Sequence, residues 1–562
     1  MNVIDASLLV LSFVEMNSNH LLDNFEGRLL QHVASFDVVR EPMDHSLWYM
    51  LTAFERWNYW YECRTSDIHA LQFRRDDLKY GVMYACNWIE SRAESKGKFR
   101  PPNAYNLRRI RQAQDIVELG CAYKPIKTFL WLARKGKVEA SLISDREIAF
   151  KGYSRELQYD ALDWLVHSRD LNRRFEDWSD KESDVSVFYP IVERNVRRAR
   201  VYGDWSIKLQ FLPSDVAALG SILEKDRRQS RGTPESWSFL EIPISTYRRI
   251  WSALDGVAFL YDSVVRWLFQ NEGRNWDTFV GWNYLTSRVE LTTLLCGVLP
   301  EVSPEQIGAV VDLLIFDVQS KTGDPALQYL VPLGSDSLSI APKLILTGNL
   351  ERNFMSLLCR KHNDQYNAST SVLEDALASE LSHCVESRGF IAAKKVKLPR
   401  NRRLPDVDLV VYDRASRFVM VIELKWVIGV SEYYEIASRM ETEVKGRRQV
   451  QDILSYARSE PSDFWTRAFP GLEKPADFEV GGCLCMRGFC GGADSQLSRV
   501  PTVEYTILRD WFERSTSLRQ QWQWLENQEF LPKEGLDYSV LSNKRVFGPF
   551  TAHIPSYQLL KI

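Results

Sequence analysis

The sequence predicts a multidomain α+β protein, with a mostly helical N-terminal half that carries small β-hairpins and a C-terminal α/β core built on a mixed sheet. The chain has 562 residues, which suits three or four domains at about 150 residues each. Apolar residues recur at helical spacing in the first quarter of the chain, as in amphipathic helices. Two runs rich in Val, Ile, Leu, Phe and Tyr follow each other between residues 405 and 425, as expected for paired strands.

These patterns divide the chain into three domains. Residues 1–170 form a mostly helical domain, residues 171–355 an α+β middle domain of unknown role, and residues 356–562 the α/β core with a C-terminal tail. Apolar and turn-forming residues predict small hairpins around residues 135–151 and 327–340. No motif in the first two domains indicates a chemistry.

Composition excludes several functional classes. Hydrophobic residues make up 45% and charged residues 26% of the chain, which is typical of a globular protein. The net charge of −3 gives no overall signature of nucleic-acid binding, so any basic surface must be local. The N-terminus lacks the basic region of a signal peptide, and no apolar run is long enough to span a bilayer. The nine cysteines lie mostly in apolar patterns, so we expect a cytoplasmic protein with reduced thiols and no membrane partner.

The most informative segment is a predicted β-hairpin in the third domain. Its two runs, residues 405–413 and 418–425, are separated by a short polar break. If the turn is centred on residues 415–416, Asp408 lies directly opposite Glu423. Cβ atoms in such a cross-strand pair are roughly 4.5 to 5.5 Å apart.

Charged side chains converge at one end of this hairpin. Because strand side chains alternate between faces, Lys425 shares the face of Glu423, and Asp406 shares the face of Asp408. The rest of both strands is apolar, and closely spaced carboxylates in such a setting require a cation or a proton between them. A hard divalent ion such as Mg²⁺ meets that requirement. The alternative is a surface ion pair, which is the usual role of an isolated Glu-x-Lys triplet in a strand.

Asp408, followed after fourteen residues by Glu423-Leu424-Lys425, resembles the PD-(D/E)xK nuclease superfamily, whose core is the restriction-endonuclease-like fold. The resemblance covers about residues 365–490. It implies that Asp408 and Glu423 hold Mg²⁺, for which Mn²⁺ can substitute, and that the Leu424 carbonyl joins them. It also implies that Lys425 orients or activates the attacking water. Asp406 matches the pattern less well and is a secondary candidate.

The resemblance implies two further catalytic residues. Members of the superfamily often contribute a glutamate from the first helix, and Glu374 fits this role on a helix predicted to begin at Ser371. Ser371 and Glu374 also match a capping box, which is the structural alternative. Many members carry a glutamine on the helix after the Glu-x-Lys triplet. Gln449 fits that position, and Gln451 stays open.

A basic segment precedes the hairpin. Six cations occur there within ten residues without an intervening acid, and a phosphate backbone is their natural partner. An exposed basic loop without function is the alternative. The six predicted nucleic-acid-binding residues are Lys394, Lys395, Lys397, Arg400, Arg402 and Arg403.

Together these features predict a Mg²⁺-dependent phosphodiester hydrolase, namely a DNA endonuclease that acts on double-stranded DNA. A role in prokaryotic antiviral defence follows from analogy at the level of the fold only. An RNA nuclease uses the same residues and stays open, as does a non-catalytic nucleic-acid-binding or assembly protein with a nuclease-like domain. A protein partner or a homo-oligomer is compatible with the sequence.

Overall fold

The computed structural model describes most of the chain. The described residues are 20–65, 68–90, 99, 106–152, 158, 161–162, 165, 185–202, 206–227, 233–271, 279, 281–320, 323–399, 404–428, 433–487 and 500–560. The fold is mixed α+β with a helical N-terminal half, which confirms the predicted fold class. None of the described helices combines the length and the apolar character needed to cross a membrane.

The first described elements are helical residues 20–34 and a 3₁₀ helix, Asp37–Arg40. The α-helices that follow are α1 (Met43–Arg64), α2 (Ile68–Asn87), α3 (Leu107–Arg134), α4 (Val185–Arg198), α5 (Pro213–Arg227), α6 (Ile244–Asn271), α7 (Arg288–Val298), α8 (Pro304–Leu313), α9 (Pro342–Leu346), α10 (Leu350–Lys361), α11 (Asn363–Glu386), α12 (Tyr433–Ser459), α13 (Pro461–Ala468), α14 (Tyr505–Phe512) and α15 (Leu518–Glu526).

The strands fall into several small sheets. They are β1 (Glu139–Ser144), β2 (Glu147–Lys151), β3 (Arg200–Tyr202), β4 (Ser206–Lys208), β5 (Ser238–Phe239), β6 (Ile242–Pro243), β7 (Tyr284–Ser287), β8 (Leu330–Leu333), β9 (Ser337–Ile340), β10 (Ile391–Val396), β11 (Val407–Asp413), β12 (Phe418–Trp426), β13 (Glu479–Arg487), β14 (Thr502–Glu504), β15 (Tyr538–Phe547) and β16 (Phe550–Leu559). The sheet orders are β1-β2-β16-β15, β7-β9-β8 and β10-β11-β12-β13-β14, with β3-β4 and β5-β6 as isolated pairs.

The chain forms two compact units. The first contains Met1–Phe150, Lys181–Leu357 and Lys544–Ile554, and the second contains Lys151–Asp180, Leu358–Asn543 and Pro555–Ile562. The first unit therefore holds residues from all three predicted domains, whereas the second consists mainly of the predicted α/β core. The division into three domains stays a prediction.

The second unit is built around the five-stranded mixed sheet. Strands β10, β11 and β12 are antiparallel neighbours, while β13 and β14 continue the sheet parallel to β12. Alternate strand side chains point to opposite faces of the sheet, and both faces carry apolar residues. Helices cover both faces and bury these residues. One face packs against α11, α14 and α15, through residues that include Leu377, Leu381, Leu409, Val411, Met420, Ile422, Leu508 and Leu518. The other face packs against α12 and α13, through residues that include Val410, Tyr412, Val419, Val421, Val450, Ile453 and Trp465.

The predicted hairpin has the predicted register. Leu409 pairs with Ile422, and Asp413 pairs with Phe418. The Asp413 carboxylate accepts the backbone N–H of Ala415 at 2.9 Å, which stabilises the turn in the way expected of an aspartate at this position. The two smaller hairpins predicted in the N-terminal half also form, as β1 with β2 and β8 with β9.

The predicted start of helix α11 is wrong. The helix begins at Asn363 rather than at Ser371, and the Ser371 hydroxyl donates to the Ala368 carbonyl. Ser371 and Glu374 therefore lie inside the helix and cannot form a capping box, because a cap needs free backbone N–H groups at a helix start. The helix is followed by Gly389 with φ of +83°, close to the predicted end.

Candidate active site

Neighbouring strands β11 and β12 bring the predicted catalytic residues to one end of the mixed sheet. The antiparallel ladder reaches the pair Leu409 and Ile422, so the next position in the same register places Asp408 opposite Glu423. There the Leu424 N–H donates to the Asp408 carboxylate, with 2.8 Å between N and Oδ2. Asp408 is thus fixed against the backbone between Glu423 and Lys425.

Glu423 is a buried carboxylate with only one of its two oxygens paired. The residue is 2% exposed. Its Oε1 accepts from Lys425 Nζ at 2.7 Å, while Oε2 is buried and has no hydrogen-bond partner within the described part of the chain. Burial raises the pKa of Glu423 to about 7, opposed by Lys425 and reinforced by the Asp408 carboxylate. A buried anionic oxygen without a partner is unfavourable, and a bound cation would remove that cost.

Lys425 keeps its charge at this site. Burial acts against the ammonium, but the carboxylates of Glu423, Glu374 and Asp408 outweigh it and raise the pKa of Lys425 above its ordinary value. Its side chain is 16% exposed. Lys425 can therefore donate hydrogen bonds to an anion or to a water molecule.

Helix α11 adds a third carboxylate to this end of the sheet. Glu374 Oε1 accepts the Trp426 N–H at 3.2 Å. Burial raises the pKa of Glu374, with Lys425 opposing and Asp408 adding to the effect. Burial likewise raises the pKa of Asp408, while the Leu424 N–H and Lys425 oppose it. Three acids and one ammonium therefore share one electrostatic environment, as ionisable groups at functional sites often do.

The residues present fit a site for one hard divalent ion. The described residues contain no group of three or more His, Cys, Asp or Glu side chains positioned to hold a metal. The two carboxylates that the resemblance names as ligands are Asp408 and Glu423. Mg²⁺ commonly takes one or two carboxylates and completes its shell with water and substrate phosphate. The buried, unpaired Oε2 of Glu423 is the specific feature that fits a cation.

The other predicted site residues make no hydrogen bond to Asp408, Glu423 or Lys425 within the described part of the chain. Gln449 lies on α12 with a buried Oε1 that has no hydrogen-bond partner among the described residues. Gln451 lies on the same helix. Asp406 is exposed just before β11.

The predicted basic segment is described only in part. Lys394 Nζ donates to Ser379 Oγ at 3.1 Å, and Lys395 Nζ pairs with Asp375 at 2.5 Å. Lys397 is exposed. The remaining three predicted nucleic-acid-binding residues, Arg400, Arg402 and Arg403, lie outside the described residues.

Asp375 was not singled out from the sequence, although it lies beside the cluster. It follows Glu374 on α11, and its charge contributes to the raised pKa of Asp408. No sequence motif relates Asp375 to the hairpin, because its position beside Asp408 depends on how α11 packs against the sheet.

Comparisons of this chain with protein-family models, with curated proteins and with solved structures gave no match. The functional argument therefore depends on the residues and their geometry.

Proposed function

We propose that this chain is a Mg²⁺-dependent nuclease that hydrolyses phosphodiester bonds, with DNA as its substrate and internal cleavage as its mode. The observation that supports this best is the buried Oε2 of Glu423, which has no hydrogen-bond partner among the described residues and lies at the same end of the sheet as Asp408 and Lys425. Such a group is unfavourable as an anion unless it binds a proton or a cation, and a divalent cation is the ligand that we propose.

Asp408 and Glu423 would hold the ion, and the resemblance adds the Leu424 carbonyl. A bound divalent ion supplies a nucleophilic water at neutral pH and neutralises phosphate charge. Lys425, kept protonated by the acids around it, would donate a hydrogen bond to the attacking water or to a phosphate oxygen. Glu374 would hold the end of β12 in place through the Trp426 N–H.

A nucleic-acid substrate fits the exposed cations on β10 and just after it. Lys394, Lys395 and Lys397 are exposed, and backbone phosphates are the usual partners of such groups in nucleic-acid complexes. A cytoplasmic location suits the described buried cysteines. A role in antiviral defence is part of the proposal by analogy only.

The test is cleavage by purified full-length protein with Mg²⁺ or Mn²⁺, on supercoiled plasmid and on RNA. Asp408→Asn, Glu423→Gln and Lys425→Ala should each lower the rate by roughly 10²-fold or more, the usual scale for a group acting directly on the reaction. The control is Arg417→Gly, at the opposite end of β12, where Arg417 is 61% exposed and pairs with Asp477 at 2.7 Å.

Cleavage that survives all three substitutions would exclude the assignment. Cleavage of RNA alone would identify an RNA nuclease. Absence of both cleavage and divalent-ion binding in the unsubstituted protein would favour a non-catalytic nucleic-acid-binding protein.

A further inference from the structure

Lys395 has an unusual backbone conformation for a strand residue. Its φ is +51°, although it lies within β10 and is not a glycine. The left-handed region is unfavourable for residues with a Cβ atom. Such residues concentrate at functional sites, where surrounding structure holds them in place.

The strand register puts Lys395 beside the candidate metal ligands. On β10, Lys394 pairs with Leu409 and Val396 pairs with Val407. The position between these two pairs is Lys395, which therefore lies across from Asp408. Asp408 thus has Lys395 on one neighbouring strand and Glu423 in the corresponding position on the other.

The left-handed backbone also changes the direction of the Lys395 side chain. Consecutive residues of a regular strand point to opposite faces, but Lys394 and Lys395 both reach helix α11. Lys394 Nζ donates to Ser379 and Lys395 Nζ pairs with Asp375. Because Asp375 and Ser379 are four residues apart on one helix, they lie on the same side of it. The strain at Lys395 therefore brings two ammonium groups to one helix face.

The Lys395–Asp375 pair is both exposed and electrostatically coupled to the site. The two side chains are 63% and 45% exposed, and an exposed ion pair holds its partners only weakly. Asp375 acts to raise the pKa of Asp408, and Lys395 acts to lower it. The pair is thus accessible to a large anionic ligand while its charges already act on a candidate metal ligand.

We propose that Lys395 is the residue that positions a substrate phosphate next to Asp408, and that Asp375 holds its ammonium until nucleic acid displaces it. This inference rests on the proposed function. When a lysine pairs with a nucleic-acid backbone, counterions condensed on the backbone are released, and this release favours binding. Pairing with a single aspartate releases no such counterions. Asp375 also repels phosphate, so it competes with the substrate in two ways.

The test compares two variants that are matched in backbone and charge. Lys395→Gly and Arg417→Gly each remove a cation paired with an exposed aspartate, at residues that both have φ of +51°. Glycine adopts this conformation freely, so both variants should keep the melting temperature of the parent. Binding of a labelled DNA duplex is measured by fluorescence anisotropy at several salt concentrations, in the Glu423→Gln background with Mg²⁺ to prevent cleavage.

Lys395→Gly should weaken binding about tenfold at low salt. It should also reduce the magnitude of the slope of log K against log salt by about one, the change expected when one phosphate contact is lost. Lys395→Arg should restore most of the affinity and the slope, which loss of a purely structural residue would not predict. Asp375→Asn should tighten binding several-fold. Arg417→Gly should change neither quantity.

Equal binding by Lys395→Gly and Arg417→Gly would overturn the inference, and so would weaker binding by Asp375→Asn. If either of these binding results is found but the unsubstituted protein cleaves nucleic acid, only the proposed role of Lys395 is wrong. If it neither cleaves nor binds DNA or RNA with Mg²⁺ or Mn²⁺, the proposed function fails together with the inference.

Discussion

At the scale of single residues, the proposed metal site depends most on Glu423. Of the residues that the structure describes, Lys425 donates a hydrogen bond to one Glu423 oxygen, and none of them donates to the second oxygen, which is buried. The protein interior therefore favours the neutral form of this acid, which is why its pKa is raised to about 7. Without a cation, ionisation of Glu423 should accordingly lower the stability of the folded chain as the pH rises to neutrality.

This gives a prediction for stability against pH. Because the folded pKa of Glu423 lies above its ordinary value of 4.5, the folded state holds this proton more tightly than the unfolded chain does. The favourable contribution is complete below about pH 4.5 and is lost as pH rises through about 7. With EDTA present, ionisation of Glu423 should lower the free energy of unfolding by on the order of 2 to 3 kcal/mol between pH 4.5 and pH 8.

The measurement is urea unfolding at several pH values, reported as the difference between the parent and Glu423→Gln. Glu479→Gln is the control for the chemical change, because Glu479 is an exposed acid on β13. A pH dependence unchanged by Glu423→Gln would contradict the raised pKa. Addition of Mg²⁺ should remove the destabilisation in the parent, since a bound cation replaces the proton.

At the scale of elements, the mixed sheet depends on small residues where helices approach it closely. Gly481 lies in β13, and a Cβ atom there would come within 2.6 Å of the Trp522 ring and 2.7 Å of the Phe418 ring. Trp522 belongs to α15 and Phe418 to β12. The absence of a side chain at Gly481 therefore allows α15 to pack directly on the strands.

Gly481→Ala should destabilise the second unit by about 1 to 3 kcal/mol, the usual cost of overpacking a filled core. Gly27→Ala is the control for the chemical change itself, because a Cβ atom at Gly27 meets nothing within 4 Å and alanine favours a helix by up to about 1 kcal/mol. Denaturant unfolding should show opposite signs for the two variants. Unchanged stability of Gly481→Ala would indicate that α15 moves away without cost.

At the scale of the whole molecule, the candidate site is confined to one compact unit. Asp408, Glu423, Lys425 and Glu374 all belong to the second unit. A ligand that binds the folded state stabilises the structure that forms its site, by about 2.7 kcal/mol at a hundred times its dissociation constant. Mg²⁺ should therefore stabilise elements of this unit.

Hydrogen exchange followed by mass spectrometry tests this localisation. Peptides from β11, β12 and α11 should exchange more slowly with Mg²⁺, whereas peptides from α6 in the first unit should be unaffected. Asp408→Asn should abolish the difference. Equal exchange with and without Mg²⁺ in the unsubstituted protein would argue against an ion at this site.

Local patterns predicted much of the second unit. Two runs of β-branched and aromatic residues on either side of a turn signal predicted the β11–β12 hairpin, and the position of the turn predicted its register, because both depend on neighbouring residues only. The helix start at Ser371 was predicted wrongly, since a serine followed by a glutamate three residues later resembles a cap even inside a longer helix. The role of residues 505–562 was not predicted, although α14 and α15 supply part of the core under the sheet.

The sequence by itself determined that Asp408 and Glu423 are neighbours, because an antiparallel hairpin with a short turn leaves little freedom in its pairing. Only the tertiary structure decided that Glu374 reaches the Trp426 N–H and that Asp375 pairs with Lys395. It also decided that Thr551 of β16 pairs with Glu147 of β2. These contacts join residues far apart in the chain, and they follow from how helices and strands pack to bury apolar surface, which no local spacing encodes.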